Sequence, residues 1–134
     1  MCPGTAKATG AKVVYSSVAE PEFEFTPVGD GERYPLGNVI LEVRHTPGHT
    51  PESMSIVVYE RRDDAVPYGV LTGDTLFVGD VGRPDLLTSV GFTREELADK
   101  LYDSLHDKLM TLPRHTSDTT PSSIERYVGF WTRM

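Results

Sequence analysis

The sequence predicts an α+β domain in which mainly antiparallel strands are followed by a long amphipathic helix. Between residues 39 and 78, short apolar runs alternate with turn residues, and few residues separate one run from the next. Strands joined so closely pair in antiparallel fashion, because a parallel pair needs a long crossover connection. From residue 93 the apolar spacing lengthens to the i, i+4 pattern that is typical of a helix. These two patterns define the fold class.

The strand predictions rest on apolar or alternating runs that are bounded by turn residues. Residues 1–10 are mostly small and predict a loose lead-in, and the glycines within residues 29–31 predict a turn. The charged residues 60–64 predict the exposed loop of a hairpin. The predicted strands are residues 12–15, 20–25, 39–44, 54–59, 68–72 and 76–78.

The strongest helix signal begins at Thr93. Residues 93–96, Thr-Arg-Glu-Glu, have the form of a capping box, in which the first and last side chains bond each other's backbone amides. Leucines follow at four-residue intervals from Leu97 to Leu109, and Pro113 ends the pattern. The sequence therefore predicts a helix over residues 93–111. Residues 114–134 follow as a polar tail with a short helix near its end.

Length and composition restrict the function. The chain has 134 residues, which suits one domain, and a formal net charge of −7 without a cluster of Lys or Arg. This charge argues against nucleic-acid and anionic-membrane partners, because both require clustered positive charge. No apolar run approaches the ~20 residues that span a bilayer, and the first residues lack a signal-peptide pattern. The single cysteine, Cys2, requires no oxidising compartment, so we expect a cytoplasmic protein.

Two turns between predicted strands carry candidate metal ligands. Residues 45–53 read His-Thr-Pro-Gly-His-Thr-Pro-Glu-Ser, and residues 71–86 read Leu-Thr-Gly-Asp-Thr-Leu-Phe-Val-Gly-Asp-Val-Gly-Arg-Pro-Asp-Leu. His49 offers a neutral nitrogen and Asp74 an anionic oxygen. Such donors suit zinc hydrolysis or the oxygen chemistry of non-haem iron(II). The glycine before each ligand allows the backbone to turn closely at the site.

Each feature also has an ordinary structural interpretation. Taken alone, an aspartate such as Asp74 in a Thr-Gly-Asp-Thr turn is more often a turn residue than a ligand. His45 precedes His49 by four residues, but the turn is not helical, so we expect a sheet or supporting role for His45. His106 lies beside the apolar stripe of the helix and is expected at the surface. His115 is expected to be solvated in the polar tail.

Together the two motifs resemble the metallo-β-lactamase superfamily. The Gly-Arg-Pro-Asp-Leu sequence at residues 82–86 resembles the persulfide dioxygenase branch, whose nearest relatives are the glyoxalase II enzymes. The resemblance covers roughly residues 11–113. It implies an αββα sandwich, of which residues 1–113 would form an incomplete domain and residues 114–134 an atypical tail.

The resemblance also implies roles for three residues. His49 and Asp74 would be metal ligands, holding iron(II) together with one further histidine in the dioxygenase branch. Arg83 would meet the anionic thiol substrate, typically glutathione persulfide, because a guanidinium suits a carboxylate. The alternative for Arg83 is an ion pair with Asp80 or Asp85 that only fixes the loop. A glyoxalase II-like thioester hydrolase with zinc is the second candidate function.

The chain departs from the family in its histidines. The H-x-H-x-D-H motif of the superfamily lies upstream of the matched segment and is not formed by the histidines present here. With two ligands only, we expect weak iron or zinc binding and little or no activity, so a non-catalytic interaction module is a further alternative. A sheet without its partner layer would expose an apolar face, which predicts a homodimer or a complementary chain.

Overall fold

Short strands and two helices, the second continued by a π-helical segment, form the part of the chain that the structure describes. This structure is a computed structural model, and it describes residues 3–77, 79–85 and 91–113. The strands are β1 (Val14–Ser16), β2 (Thr26–Val28), β3 (Arg33–Leu36), β4 (Val39–His45), β5 (Met54–Tyr59), β6 (Gly69–Leu71), β7 (Leu76–Phe77) and β8 (Asp80–Val81). The helices are α1 (Pro3–Thr9) and α2 (Arg94–Asp103), and the π-helical segment is Ser104–Leu109.

A four-stranded antiparallel sheet with the order β3-β4-β5-β6 forms the centre of the fold. Its register pairs Val43 with Ile56 and His45 with Met54. Short connections and β-branched residues favour this meander, and the predicted strands 39–44, 54–59 and 68–72 are confirmed. The turn that carries His49 therefore joins β4 to β5, and the turn that carries Asp74 follows β6, which pairs with β5.

The core lies between one face of this sheet and the C-terminal helical region. Successive side chains of a strand point to opposite faces of the sheet, so every second side chain of β4, β5 and β6 points toward the helical region. Burying such a side chain contributes roughly 1.5–3 kcal/mol, so this layer holds the helical region on the sheet. The buried cluster consists of Ile40, Val57, Tyr59, Val70, Leu109 and Leu112.

The capping box at the start of α2 forms as predicted. The amide of Glu96 donates to the Thr93 hydroxyl at 3.1 Å, and the amide of Thr93 donates to the Glu96 carboxylate at 2.9 Å. This bond from the Thr93 backbone keeps the pKa of Glu96 below its ordinary value. Two of the amides that a helix start leaves unpaired are thereby satisfied.

The predicted helix over residues 93–111 is not α-helical throughout. Strict four-residue spacing of leucines drifts by about 40° per step around a helix of 3.6 residues per turn. From Ser104 the chain widens to π-helical bonding, and the Met110 amide donates to the Leu105 carbonyl at 2.8 Å. A wider turn rotates the stripe back, so that Leu109 remains buried like Leu97.

Two local predictions need correction, and one further strand was not predicted. Residues 3–9, expected as a loose lead-in, form α1, and the strand expected over residues 20–25 instead lies at β2. The alternating aromatic residues within 20–25 pack on β1 instead of forming a strand. The rings of Phe23 and Phe25 meet the Tyr15 ring edge-on, with ring centroids 6.3 Å apart in each pair. Strand β3 was not predicted, because Pro35 within it weakens the strand pattern.

Strands β1 and β2 form a parallel pair near the second face of the sheet. The Nε2 atom of His45 contacts the Val28 carbonyl at 3.0 Å and the Ser16 hydroxyl at 3.4 Å. These contacts place the β1–β2 pair beside the end of β4 where His45 lies. Farther along this face, apolar side chains are only partly buried. They are Leu41, Ile56, Val58 and Leu71.

Some predictions fall on residues outside the described part of the chain. These concern Cys2, His115 and the tail 114–134 with its short helix. Within the described part, no helix combines the length and the apolar character that crossing a membrane requires.

Candidate metal site

The turn that carries His49 is closed by its own hydrogen bonds and braced by α2. The Thr46 amide donates to the Ser53 carbonyl at 2.9 Å. Gly48 has a φ of +148°, and a side chain there would overlap the backbone of Leu101. Only glycine permits both this conformation and this close approach. The Ser104 hydroxyl also donates to the Pro47 carbonyl at 2.7 Å, so the helical region holds the turn in place.

The turn that carries Asp74 follows β6. The Thr75 amide donates to the Thr72 carbonyl at 3.1 Å, and the Thr72 hydroxyl donates to the Leu76 carbonyl at 2.7 Å. Gly73 has a φ of +53°, in the left-handed region that glycine adopts without strain. These constraints present the Asp74 carboxylate outward, with its side chain 68% exposed.

The fold brings the two predicted ligands together. The Nε2 atom of His49 lies 3.8 Å from Oδ2 of Asp74. One metal ion at ~2.0–2.2 Å from each donor can bridge donors up to about 4 Å apart, so this pair fits a shared ion. On its other side, Nδ1 of His49 lies 3.1 Å from the Arg83 carbonyl. A proton on Nδ1 would be donated to that carbonyl, leaving the Nε2 lone pair directed toward Asp74.

Gly82 allows this convergence and was not identified from the sequence as a site residue. A side chain at Gly82 would overlap the carbonyl oxygen of Asp74 and press on Cβ of His49. The Gly82 amide donates to the Thr75 carbonyl at 3.1 Å, which holds the segment against the Asp74 turn. A glycine directly before Arg83 in the motif was the available signal, but the contact itself depends on the tertiary structure.

Buried hydroxyls join the two turns beneath the ligands. The Thr46 hydroxyl lies 3.0 Å from that of Ser55 and 3.0 Å from that of Thr75. The exposed fractions of these three residues are at most 1%. A hydroxyl residue lies three positions before His49 and another directly follows Asp74, but the contact between them depends on the tertiary structure.

A pocket of about 280 Å³ opens in front of the ligand pair. Its walls include Tyr15 from β1 and Met54 from β5, together with Glu52 beside His49. Both Glu52 and Asp74 bring carboxylates to it. The pocket therefore combines donor atoms, an aromatic wall and acidic character, which suits a cation at its base.

The Arg83 side chain takes part in an ion pair in this structure. Its Nη2 and Nε atoms donate to the two carboxylate oxygens of Asp85 at 2.7 and 3.1 Å. These hydrogen bonds raise the pKa of Arg83 and lower that of Asp85. Arg83 is 71% exposed, and its backbone carbonyl rather than its guanidinium reaches His49. Of the two expected partners, Asp80 and Asp85, it is Asp85 that forms the ion pair with Arg83.

The other described histidines lie away from this pair. His45 is on β4 and contacts β1 and β2, in agreement with the expected sheet role. His106 is exposed on the π-helical segment and stacks on Tyr102 with ring centroids 3.8 Å apart. Across the described residues, no group of three or more His, Cys, Asp or Glu side chains could hold a metal ion.

Comparison with known proteins identifies relatives that are similar in sequence. The chain is 43% identical over 88 residues to probable metallo-hydrolase YqgX of Bacillus subtilis, a match that includes 66% of this chain and 35% of the relative. It is 34% identical over 86 residues to mitochondrial persulfide dioxygenase ETHE1 of Mus musculus, covering 64% of this chain and 29% of that protein. No protein-family model matches the chain.

A solved structure matches the fold as well as the sequence. The crystal structure of a metallo-β-lactamase from Staphylococcus aureus superposes with a TM-score of 0.71 at 34% identity. The superposition covers 83% of this chain and 34% of the solved one. The chain thus spans about a third of the length of each of these three relatives.

Proposed function

We propose that the chain serves iron-dependent persulfide dioxygenation, because it is similar in sequence to a persulfide dioxygenase and in sequence and fold to a metallo-β-lactamase. The substrate in this proposal is glutathione persulfide. The observation that carries it is the 3.8 Å approach of His49 Nε2 to Asp74 Oδ2 at the base of an open pocket. Iron(II) bound by this pair would supply open coordination positions for dioxygen and the persulfide sulfur.

The proposed roles follow from the contacts of each residue. His49 contributes a nitrogen whose orientation is fixed by the Arg83 carbonyl, and Asp74 contributes the negative charge that a divalent cation requires. The Arg83 guanidinium has five N–H donors, and Asp85 accepts one from Nε and one from Nη2. We propose that its opposite edge meets a carboxylate of the substrate.

The described donors are too few for the complete site. A facial triad uses two histidines and one carboxylate, whereas His49 and Asp74 supply one of each type. The proposed centre therefore needs a further protein donor beyond this pair. With two donors we expect weak binding of iron or zinc and slow turnover.

Thioester hydrolysis with zinc, as in glyoxalase II, is the second candidate function. The 43% identity to a probable metallo-hydrolase favours it, and the same two donors suit zinc. A third candidate is a non-catalytic module, which is consistent with the two donors found among residues 3–77, 79–85 and 91–113. Arg83 in the Gly-Arg-Pro-Asp sequence favours the dioxygenase over both.

Metal titration tests the proposed ligands. Fe(II) is added anaerobically to the full chain while the histidine ring resonances are followed by NMR. We expect the His49 ring resonances to shift or broaden on addition of Fe(II), and those of His45 and His106 to stay unchanged. Losing a ligand should weaken binding by more than the ~10–100-fold typical of a lost supporting partner, so His49→Gln and Asp74→Asn should both bind far less. His106→Gln is the matched control, and equal binding by all variants would refute the ligand assignment.

Activity assays separate the candidate functions. Oxygen uptake with glutathione persulfide and hydrolysis of a glutathione thioester are measured with added Fe(II) or Zn(II). The dioxygenase proposal predicts slow, Fe(II)-dependent oxygen uptake that is lost in His49→Gln and kept in His106→Gln. Hydrolysis without oxygen uptake would support the second candidate. Metal binding without either activity would support the non-catalytic module.

A further inference from the structure

The buried hydroxyl cluster beneath the ligand pair has no role in the proposed chemistry itself. Its members are Thr46 on the His49 turn, Ser55 on β5 and Thr75 on the Asp74 turn, and all are essentially excluded from solvent. Each turn is already closed by its own backbone bonds, from Thr46 to Ser53 and from Thr75 to Thr72. The Thr46 hydroxyl contacts Ser55 on β5 and Thr75 on the other turn, so the contact between Thr46 and Thr75 fixes the position of one turn relative to the other.

The geometry allows every hydroxyl proton in the cluster to be used. Ser55 can donate to the Thr46 hydroxyl at 3.0 Å, Thr46 to the Thr75 hydroxyl at 3.0 Å, and Thr75 to the Thr46 carbonyl at 3.4 Å. No buried side-chain polar atom of the described residues lacks a hydrogen-bond partner. A satisfied buried network rigidifies its surroundings, because any displacement leaves a hydroxyl unpaired away from water.

We propose that this hydroxyl cluster is a positioning device that sets the separation of His49 and Asp74 and thereby tunes metal affinity. The inference rests on the proposed function, since it assumes that both residues bind one ion. Thr75 directly follows Asp74, and Thr46 lies three residues before His49. A shift between the turns would therefore be transmitted directly to the distance between Nε2 and Oδ2.

The test compares three variants of the full chain. Thr75→Val keeps the shape of the side chain and removes its hydroxyl, whereas Thr75→Ser keeps the hydroxyl and removes a methyl group. Ser16→Ala is the control, because Ser16 is also fully buried but contacts His45 on β4 and no member of the hydroxyl cluster. The probe is Zn(II) alone, with its dissociation constant measured by calorimetry.

The first readout requires no metal. Amide hydrogen exchange at Thr46 reports whether the His49 turn is affected by a change made on the Asp74 turn. We expect Thr75→Val to accelerate exchange at Thr46, while Thr75→Ser and Ser16→Ala leave it close to wild type. Unchanged exchange at Thr46 in Thr75→Val would show that the cluster does not couple the turns and would overturn the proposal.

The second readout is metal affinity. We expect Thr75→Val to weaken Zn(II) binding by ~10–100-fold, Thr75→Ser to restore most of it, and Thr75→Val to have no further effect in a His49→Gln background. Equal loss in the Val and Ser variants would show that metal affinity does not follow the presence of the hydroxyl and would overturn the inference alone. If His49→Gln binds Zn(II) as tightly as the wild type, the ligand assignment and this inference are both overturned. Hydrogen exchange at Thr46 would still report whether the two turns are coupled.

Discussion

Single atoms decide the geometry of the candidate site. Gly82 has a backbone conformation outside the left-handed region, so the need for glycine arises from space rather than from φ. Its missing side chain lets the segment before Arg83 pass between Asp74 and His49. The same segment then supplies the carbonyl that orients the His49 ring.

A methyl group at position 82 should therefore damage the site. In Gly82→Ala the added Cβ overlaps the Asp74 carbonyl oxygen, and overpacking of this kind costs about 1–3 kcal/mol. We expect a lower urea midpoint and Zn(II) binding weakened at least ~10-fold, because both ligands must move. Gly29→Ala is the control, since its nearest neighbours lie at 3.9 Å. Similar behaviour of both variants would argue against steric control of the site.

Local sequence patterns predicted the proposed ligand pair but not the contacts that support it. His49 and Asp74 could be proposed from two turn motifs and their resemblance to a family, because each motif is continuous in the chain. The contacts of Gly82 and the bridge from Thr46 to Thr75 join residues that are distant in sequence. Such contacts depend on how the turns pack, which no local pattern encodes.

At the scale of elements, α2 and the sheet enclose the His49 turn from two sides. The helix approaches so closely that Gly48 contacts the backbone of Leu101. Ser104, where the π-helical segment begins, bonds the Pro47 carbonyl. The helical region therefore contributes to core packing and to the position of a proposed ligand at the same time.

Substitution of Gly48 should separate the helix from the turn. Gly48→Ala forces a Cβ into the Leu101 backbone and strains a φ of +148°, so we expect unfolding to require about 2–4 kcal/mol less free energy. Gly37→Ala is the matched control, because Gly37 has a positive φ of 63° but open space around it. Urea denaturation measures both, and equal losses would mean that backbone strain alone is responsible.

The elements differ in how far the sequence predicts them. Strands β4, β5 and β6 follow alternating apolar runs, and the start of α2 follows its capping box, so local information is sufficient. The π-helical segment follows instead from four-residue leucine spacing combined with the need to face one sheet. Strand β3 contains Pro35 and is stabilised by pairing with β4, so its own pattern did not predict it.

At the scale of the molecule, Asp30 connects three separate parts of the fold. Its carboxylate accepts the His45 amide on β4 at 2.7 Å and the Lys108 ammonium of the π-helical segment at 2.7 Å. Partial burial alone would raise the pKa of Asp30, but the bonds from Lys108 and His45 outweigh it and leave the pKa below its ordinary value.

This carboxylate predicts acid sensitivity. Because the pKa of Asp30 is lower in the folded than in the unfolded state, its contribution is complete above about pH 4 and is lost as the pH falls through the folded-state value. The pair is half exposed, so screening limits the contribution to about 1 kcal/mol or less. Asp30→Asn should flatten the decline of stability as the pH falls below about pH 4. Asp63→Asn at the exposed hairpin tip is the control, and an unchanged profile in Asp30→Asn would contradict this assignment.

The partly buried apolar face of the sheet leads to a prediction about association. Leu41, Ile56, Val58 and Leu71 lie on the face away from the helical region. The expectation of a homodimer or complementary chain covering this face stays a prediction. Light scattering across a range of concentrations should show a dimer that forms as concentration rises. A monomer at every concentration would count against self-association.

Strand β3 limits the ways in which molecules can stack. It forms one edge of the sheet, and Pro35 within it has no N–H to offer an incoming strand. Uncapped sheet edges are templates for continuous intermolecular ladders and fibrils. The proline interrupts that template at its centre. Molecules of this protein are therefore disfavoured from joining through the β3 edge, and this protects against amyloid-like growth there.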